Sequence, residues 1–391
     1  MLHLQAWKAG ILEPEEAVVR TIEEPRARQP ELHIQSRTDW RLQIPEERRR
    51  HLRIWLASGA VLTFLILVIG GITRLTQSGL SIVDWNPIMG VVPPLSEAQW
   101  LEAFDRYRQF PEYQKLRQGM TLSEFQFIFF WEYVHRLAAR LIGLVFLIPF
   151  VFFWIQGYFT PQLRNRVLAL FGLGALQGFM GWFMVMSGLV DNPSVSHYRL
   201  AAHLSIALVI FGLCLWLFWE LRVSRLPTPR RTPGRGIYAL GGLLMLQILW
   251  GAFVAGLDAG LYFNTFPLMG GRLVPPGAMS LEPALRNLVE NPVTVQWVHR
   301  VLGTVLALAS LAVVVQHWRL PADLASRRLS TAFATLVLVQ YGLGILTVIY
   351  FVPVSLGVLH QATAVVILAI WLAWLHHTRN SPGWGPLAKL S

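Results

Sequence analysis

Cysteine is almost absent: Cys214 is the only one in 391 residues. A lone cysteine excludes an intramolecular disulfide, a CxxCH haem attachment site and a cysteine-rich metal centre. Set in an apolar run, it reads as a small packing residue. Charge is scarce as well, at 14% of residues against 54% hydrophobic, which is a membrane composition. No GxGxxG joins a strand-like to a helix-like stretch, so no dinucleotide-binding domain is expected. The charge that is present is lopsided, 33 Lys and Arg against 22 Asp and Glu. Much of the excess lies in short loops, so it speaks of membrane orientation and not of nucleic acid.

A spanning helix needs about 20 mainly apolar residues. Eight such runs are predicted, at 54–73, 128–154, 166–187, 200–220, 237–257, 295–316, 331–351 and 355–376. Arg48–Arg53, Arg164 and Arg166, Arg222 to Arg235, Arg319 to Arg328, and Arg379 with Lys389 all fall on one side if the spans alternate. The positive-inside rule then puts both termini in the cytoplasm, as for a multi-pass protein of a bacterial cytoplasmic (inner) membrane. The loop 74–127 holds Trp85, Pro93, Pro94 and Trp100, and is expected to fold over the outer surface. Residues 1–53 read as a polar cytoplasmic extension: the first 50 hold nine acids and nine bases, unlike a signal or transit peptide.

The chain repeats itself. PIMG at 87–90 matches PLMG at 267–270, Gly79-Leu80 matches Gly260-Leu261, and Gln177 and Gly181 match Gln340 and Gly344. VHR at 134–136 matches VHR at 298–300. The predicted fold is an all-α polytopic membrane protein, with eight transmembrane helices in two tandem parallel four-helix bundles, 54–225 and 226–391. Gly174 and Gly178 are expected to allow close helix approach.

Four of the eleven histidines sit inside spans: His135, His203, His299 and His360, on spans two, four, six and eight. Each lies a few residues into its span, roughly 6–11 Å below the outer boundary at 1.5 Å per residue. Any one of them is explained by a hydrogen bond to a neighbouring helix. Four at one depth, two per repeat, suit the paired axial positions of haem iron, and buried ionisable groups in a membrane tend to mark function. Zinc would want three or four converging ligands. Arg136 and Arg300 each follow a histidine and suit haem propionates. An i,i+4 ion pair from Glu132 is the structural alternative for Arg136, but Gln296 stands at that position in the second half and offers Arg300 no charge.

GGITRLTQSGLSIVDWNPIMGVVPP at 70–94, EYVHR at 132–136 and the histidines of spans four, six and eight resemble the haem A synthase family from about residue 54 to 376. The resemblance implies two similar four-helix bundles and oxidation of a ring methyl of haem O, through a hydroxymethyl stage, to the formyl group of haem A for haem–copper terminal oxidases. It makes Glu132 the catalytic acid, and His135 and His203, with Arg136, the substrate haem site. It makes His299 and His360, with Arg300, the site of a haem b cofactor. Family members with a cysteine pair in outer loops differ from this chain, which belongs with the cysteine-free kind. Implied partners are haem O, an electron donor, haem O synthase, terminal-oxidase assembly factors, membrane lipid and further copies of the chain. Arg74 and Asp84 are weaker candidates for placing substrate. The principal alternative is a bis-histidine dihaem cytochrome that only transfers electrons and has no need of Glu132. A repeat-built transporter is the other, and it would hold its site nearer the midplane.

Overall fold

The computed structural model describes residues 39–83, 91–188, 194–222, 233–319 and 323–380. The extension up to residue 38, the PIMG segment with Asp84, the loop at 223–232 with the expected domain boundary, and the tail from 381 lie outside the described residues.

Among the described residues eight helices are long and apolar enough to cross a membrane. They are α1 (Glu46–Leu75), α4 (Leu122–Ile155), α5 (Pro161–Gly188), α6 (His197–Glu220), α7 (Arg235–Gly256), α9 (Pro292–Arg319), α10 (Leu324–Ile349) and α11 (Val354–Asn380). Three shorter helices, α2 (Glu97–Arg108), α3 (Pro111–Leu116) and α8 (Asn287–Glu290), lie in the connections. Each predicted run falls on one long helix. The extension is shorter than expected, because Glu46–Arg53 already forms the first turns of α1, where Glu46 pairs with Arg49 and Arg53. Helical spacing turned what looked like a loop charge cluster into intrahelical ion pairs.

Local sequence sets the helix starts. Thr121 caps α4 and Ser96 caps α2, each in a capping box closed by the side chain three residues on, Glu124 or Gln99. Pro111 opens α3 where its missing N–H costs nothing. Asp323 caps α10 through the Ser326 amide.

α1 packs on α4 and α6, and α5 on α6; in the second half α9 packs on α7 and α10, and α10 on α11. The halves meet where α1 and α6 adjoin α11 and α7. There Gln361 Nε2 donates to the Leu67 carbonyl at 2.7 Å, and Arg74 donates to the Ala255 carbonyl at 2.6 Å and to Asp258 at 2.9 Å. Arg74 is thus a strut between the halves. One difference between the halves stands out: α9 and α10 run close together, whereas their counterparts α4 and α5 stand farther apart and meet through aromatic side chains, Phe146 and Phe150 against Phe171. Gly174 and Gly178 on α5 accordingly have open space beside them, contrary to the expected close approach.

The helix ends of α1 and α7 are alike at one backbone position. α1 ends at Leu75 and α7 at Gly256, and two residues later each chain turns through a left-handed residue, Gln77 at φ 51° and Asp258 at φ 49°. Over this end of the helices lies a layer built from α2 and α3. Phe104 and Tyr107 of α2 pack against Phe125, Ile128 and Phe129 of α4, with Ile82, Trp100 and Tyr113 around them.

Candidate functional site

Helix geometry puts Glu132, His135 and Arg136 on one face of α4. Glu132 is 3% exposed and fully engaged. Its Oε2 accepts from the Ser81 hydroxyl at 2.7 Å and the Ile82 amide at 2.8 Å, and its Oε1 accepts from Arg136 at 2.6 Å. Arg136 also donates to the Ile82 carbonyl at 2.8 Å. The i,i+4 ion pair therefore forms, as part of a clamp that ties the segment after α1 to α4. A buried carboxylate is tolerable only when its oxygens are paired in this way.

The second half repeats the clamp with reversed polarity. Gln296, 2% exposed, donates through Nε2 to the Phe263 carbonyl at 2.9 Å. Arg300 donates to the carbonyls of Phe263 and Thr265, both at 2.7 Å. Its Nε is buried without a hydrogen bond, a position suited to a further acceptor such as a carboxylate.

The four histidines share one setting. Each ring lies against a glycine of an adjacent helix: His135 against Gly70, His203 against Gly181, His299 against Gly251 and His360 against Gly344. A Cβ at any of these glycines would fall 3.0–3.3 Å from the ring Cε1. The glycines form cradles that only a missing side chain leaves open. All four Nδ1 atoms are buried without a hydrogen bond. The Nε2 of His203 faces the Gln177 amide nitrogen at 3.2 Å, as His299 Nε2 faces that of Gln247. His299 and His360 have ring centroids 6.4 Å apart. A metal–imidazole bond is about 2 Å long, so two rings about 6 Å apart suit one metal ion held between them. Among the described residues no three His, Cys, Asp or Glu side chains converge as a metal site. The donor set is therefore two neutral imidazoles per pair, which fits haem iron and not zinc.

The sequence reading singled out the histidines, Glu132 and both arginines. It missed Ser81 and the Ile82 amide, which hold the acid, because a serine in a loop carries no signal until its partner is placed. It also missed Gly70 and Gly251 as ring cradles. Their signal was there, since they are related by the same offset as Gly79 and Gly260.

A sequence profile of the cytochrome oxidase assembly protein family COX15-CtaA matches residues 53–372. Among curated proteins, the "Heme A synthase" of Rhodospirillum centenum is 46% identical over 84% of this chain and 88% of its own length. That of Sinorhizobium medicae is 46% identical over 84% and 90%, and that of Agrobacterium fabrum 47% over 85% and 91%. With the profile covering most of the chain and relatives this similar along nearly their whole length, the protein belongs to the COX15-CtaA family of cytochrome oxidase assembly proteins.

Proposed function

We propose that the protein is a haem A synthase: it oxidises a ring methyl of haem O to a formyl group, by way of a hydroxymethyl group, and so serves haem–copper oxidase assembly. The observation that carries this reading is the asymmetry of the two clamps, a buried glutamate one helical turn from His135 in one half and a glutamine at the matching place in the other. A protein that only moved electrons would have no use for a buried acid beside one haem alone.

In this reading His135 and His203 hold the substrate haem in the first half, and His299 and His360 hold haem b in the second. The packing supports that division: the substrate must come and go, and the first half is the one in which the counterpart helices α4 and α5 stand farther apart. Haem b, when bound, supplies one-electron transfer between the substrate half and an external carrier that takes the electrons the methyl gives up. Arg300, with its unpaired Nε, pairs a haem b propionate. Arg136 does the same for the substrate while holding Glu132 in place. Oxidation of the methyl releases protons, and Glu132 takes them at a carboxylate oxygen while Ser81 and Ile82 fix its direction. The aromatic layer of α2 and α3 screens the carboxylate from bulk water. In this reading the layer faces the outer side of the bacterial inner membrane and both termini face the cytoplasm, an orientation that the positive-inside rule favours for the arginine-rich loops.

The test is expression of the wild type and Glu132→Ala in a host that makes haem O and lacks its own haem A synthase. The haems are then extracted and separated by chromatography with mass detection. Haem A or its hydroxylated precursor is expected from the wild type, and only haem b with haem O from the variant. Haem b alone from both would leave an electron-transfer cytochrome.

A further inference from the structure

The layer over Glu132 contains a second buried acid that the site described so far does not use. Glu112, at the start of α3, is 5% exposed. Its pairing is poor. Arg117 Nε stands 3.3 Å from Oε1, and an amino group of the same guanidinium donates to the Gln77 carbonyl at 2.8 Å. Oε2 is buried without a hydrogen bond of normal length. The Tyr107 hydroxyl is directed at this carboxyl, is itself fully buried, and likewise lacks a hydrogen bond of normal length. A phenylalanine would fill the same aromatic cluster without stranding a hydroxyl, so packing does not account for the phenol. Glu132, by contrast, has every oxygen paired.

Two connections join Glu112 to Glu132. One is electrostatic: the charge of Glu132 is felt at both Glu112 and Tyr107. The other is a chain of bonds. Arg117 holds the Gln77 turn, the Ser78 amide donates to the Thr73 carbonyl at 2.8 Å, and a few residues on the single Ser81 hydroxyl hydrogen goes to Glu132 at 2.7 Å, with the Ser78 carbonyl a weaker alternative at 3.3 Å. The repeat adds an independent point. The offset between the halves is 181 at Gly79 and Gly260 but 164 at His135 and His299, so the first half carries additional residues between these points. α2 and α3 lie in that stretch, and it is present only in the half that has Glu132.

Resting on the synthase reading above, we infer that Glu112 is the proton-exchange partner of Glu132, and that the outer layer is a proton outlet as well as a cover. The transfer balances without any redox step: the Glu112 carboxylate takes up the proton that Glu132 gives up, with the buried Tyr107 hydroxyl beside Glu112, and Glu132 is left ionised. Glu112 then releases it to the outer water beside Arg117. Burial pushes the Glu112 carboxyl up to about 7, against the opposing pull of Arg117 and with Glu132 adding to the rise. A group of that kind both accepts and releases a proton near neutral pH. The charged and titratable groups that face it are Tyr107 from α2, Arg117 after α3, and Glu132, paired to Arg136, from α4.

The test uses the full chain in membranes of a haem O-producing host, with haem A formation followed from pH 6 to 8. Haem b content serves as the measure of folding. In the wild type the rate is expected to rise through pH 7 as Glu112 becomes able to accept protons. Glu112→Gln is expected to keep haem b, lose on the order of tenfold or more in rate, and lose that inflection. Tyr107→Phe is expected to slow the rate and keep the inflection. A Glu112→Gln protein with wild-type rate and pH profile would reduce Glu112 to an ion-pair residue and overturn the inference. If Glu112→Gln fails to retain haem b, Arg117→Met decides, because it keeps the acid and removes its cation. An inflection moved to higher pH supports the inference, and one left in place overturns it. A wild type that makes no haem A would sink the synthase reading itself, before any variant is compared.

Discussion

Single atoms decide the chemistry of this protein. Glu132 and Gln296 differ by an oxygen and an NH2 group, and in the proposed function one takes a proton where the other supplies only shape. Glu132→Gln keeps the volume and removes the base, so haem A formation should fall about 10²–10⁴-fold with haem b content unchanged, measured by extraction and chromatography. The ring cradles give a second prediction at this scale. Gly344 meets the His360 ring at 3.0 Å from where a Cβ would stand, whereas Gly342, on the same helix, has open space. Gly344→Val should abolish the haem b Soret band and Gly342→Val should leave it, with both proteins compared at equal expression. Equal spectra from the two would show that the cradle does not set the ring.

At the scale of elements, the α2–α3 layer carries its own pH dependence. The folded-state value of Glu112 is raised to about 7 from an ordinary carboxyl value of 4.5. The sign follows from linkage: the stabilising contribution is complete below the ordinary value and is lost as pH rises through about 7. Amide exchange in α2 and α3, corrected for the intrinsic pH effect, should therefore be faster at pH 8 than at pH 6, and the difference should vanish in Glu112→Gln. The contrast between α4–α5 and α9–α10 belongs to this scale too. Helices that stand farther apart have less to hold them in one arrangement. Spin labels across α4 and α5 should report a broader distance distribution than labels across α9 and α10.

At the scale of the molecule, Arg74 joins the end of one half to the start of the other's loop. Its ion pair with Asp258 is partly exposed and weak by itself, but the bond to the Ala255 carbonyl caps a helix end. Arg74→Met should lower the melting temperature of the purified protein by about 2–4 °C, without altering the haem spectra. The whole-molecule layout was legible in the sequence because lipid demands long apolar runs, and because four histidines stand out against such runs. What was hidden depended on partners distant in sequence. Glu112, between Arg108 and Lys115, looks like ordinary surface charge until α2 and α3 fold over it. Arg300 was expected to face a propionate, and its bonds to the Phe263 and Thr265 carbonyls were hidden because loop carbonyls leave no mark in a sequence. Gly174 and Gly178 had the right spacing for close contact, but the helix they would meet stands away.

The reversed clamps bear on how the two halves came to differ. At Ile82 the backbone turns its N–H toward residue 132; at Phe263 it turns its C=O toward residue 296. A glutamate placed at 296 would face a carbonyl oxygen, and a glutamine at 132 must aim its own oxygen at the Ile82 amide to be accommodated. Each loop thus enforces the residue opposite it. An ancestral duplication could swap the codon in a single step, but activity would not follow until a peptide plane had also turned over. In the proposed division of labour, exchanging glutamine for glutamate at 296 alone would set a carboxylate against the Phe263 carbonyl, so a second change in the loop would have to accompany it.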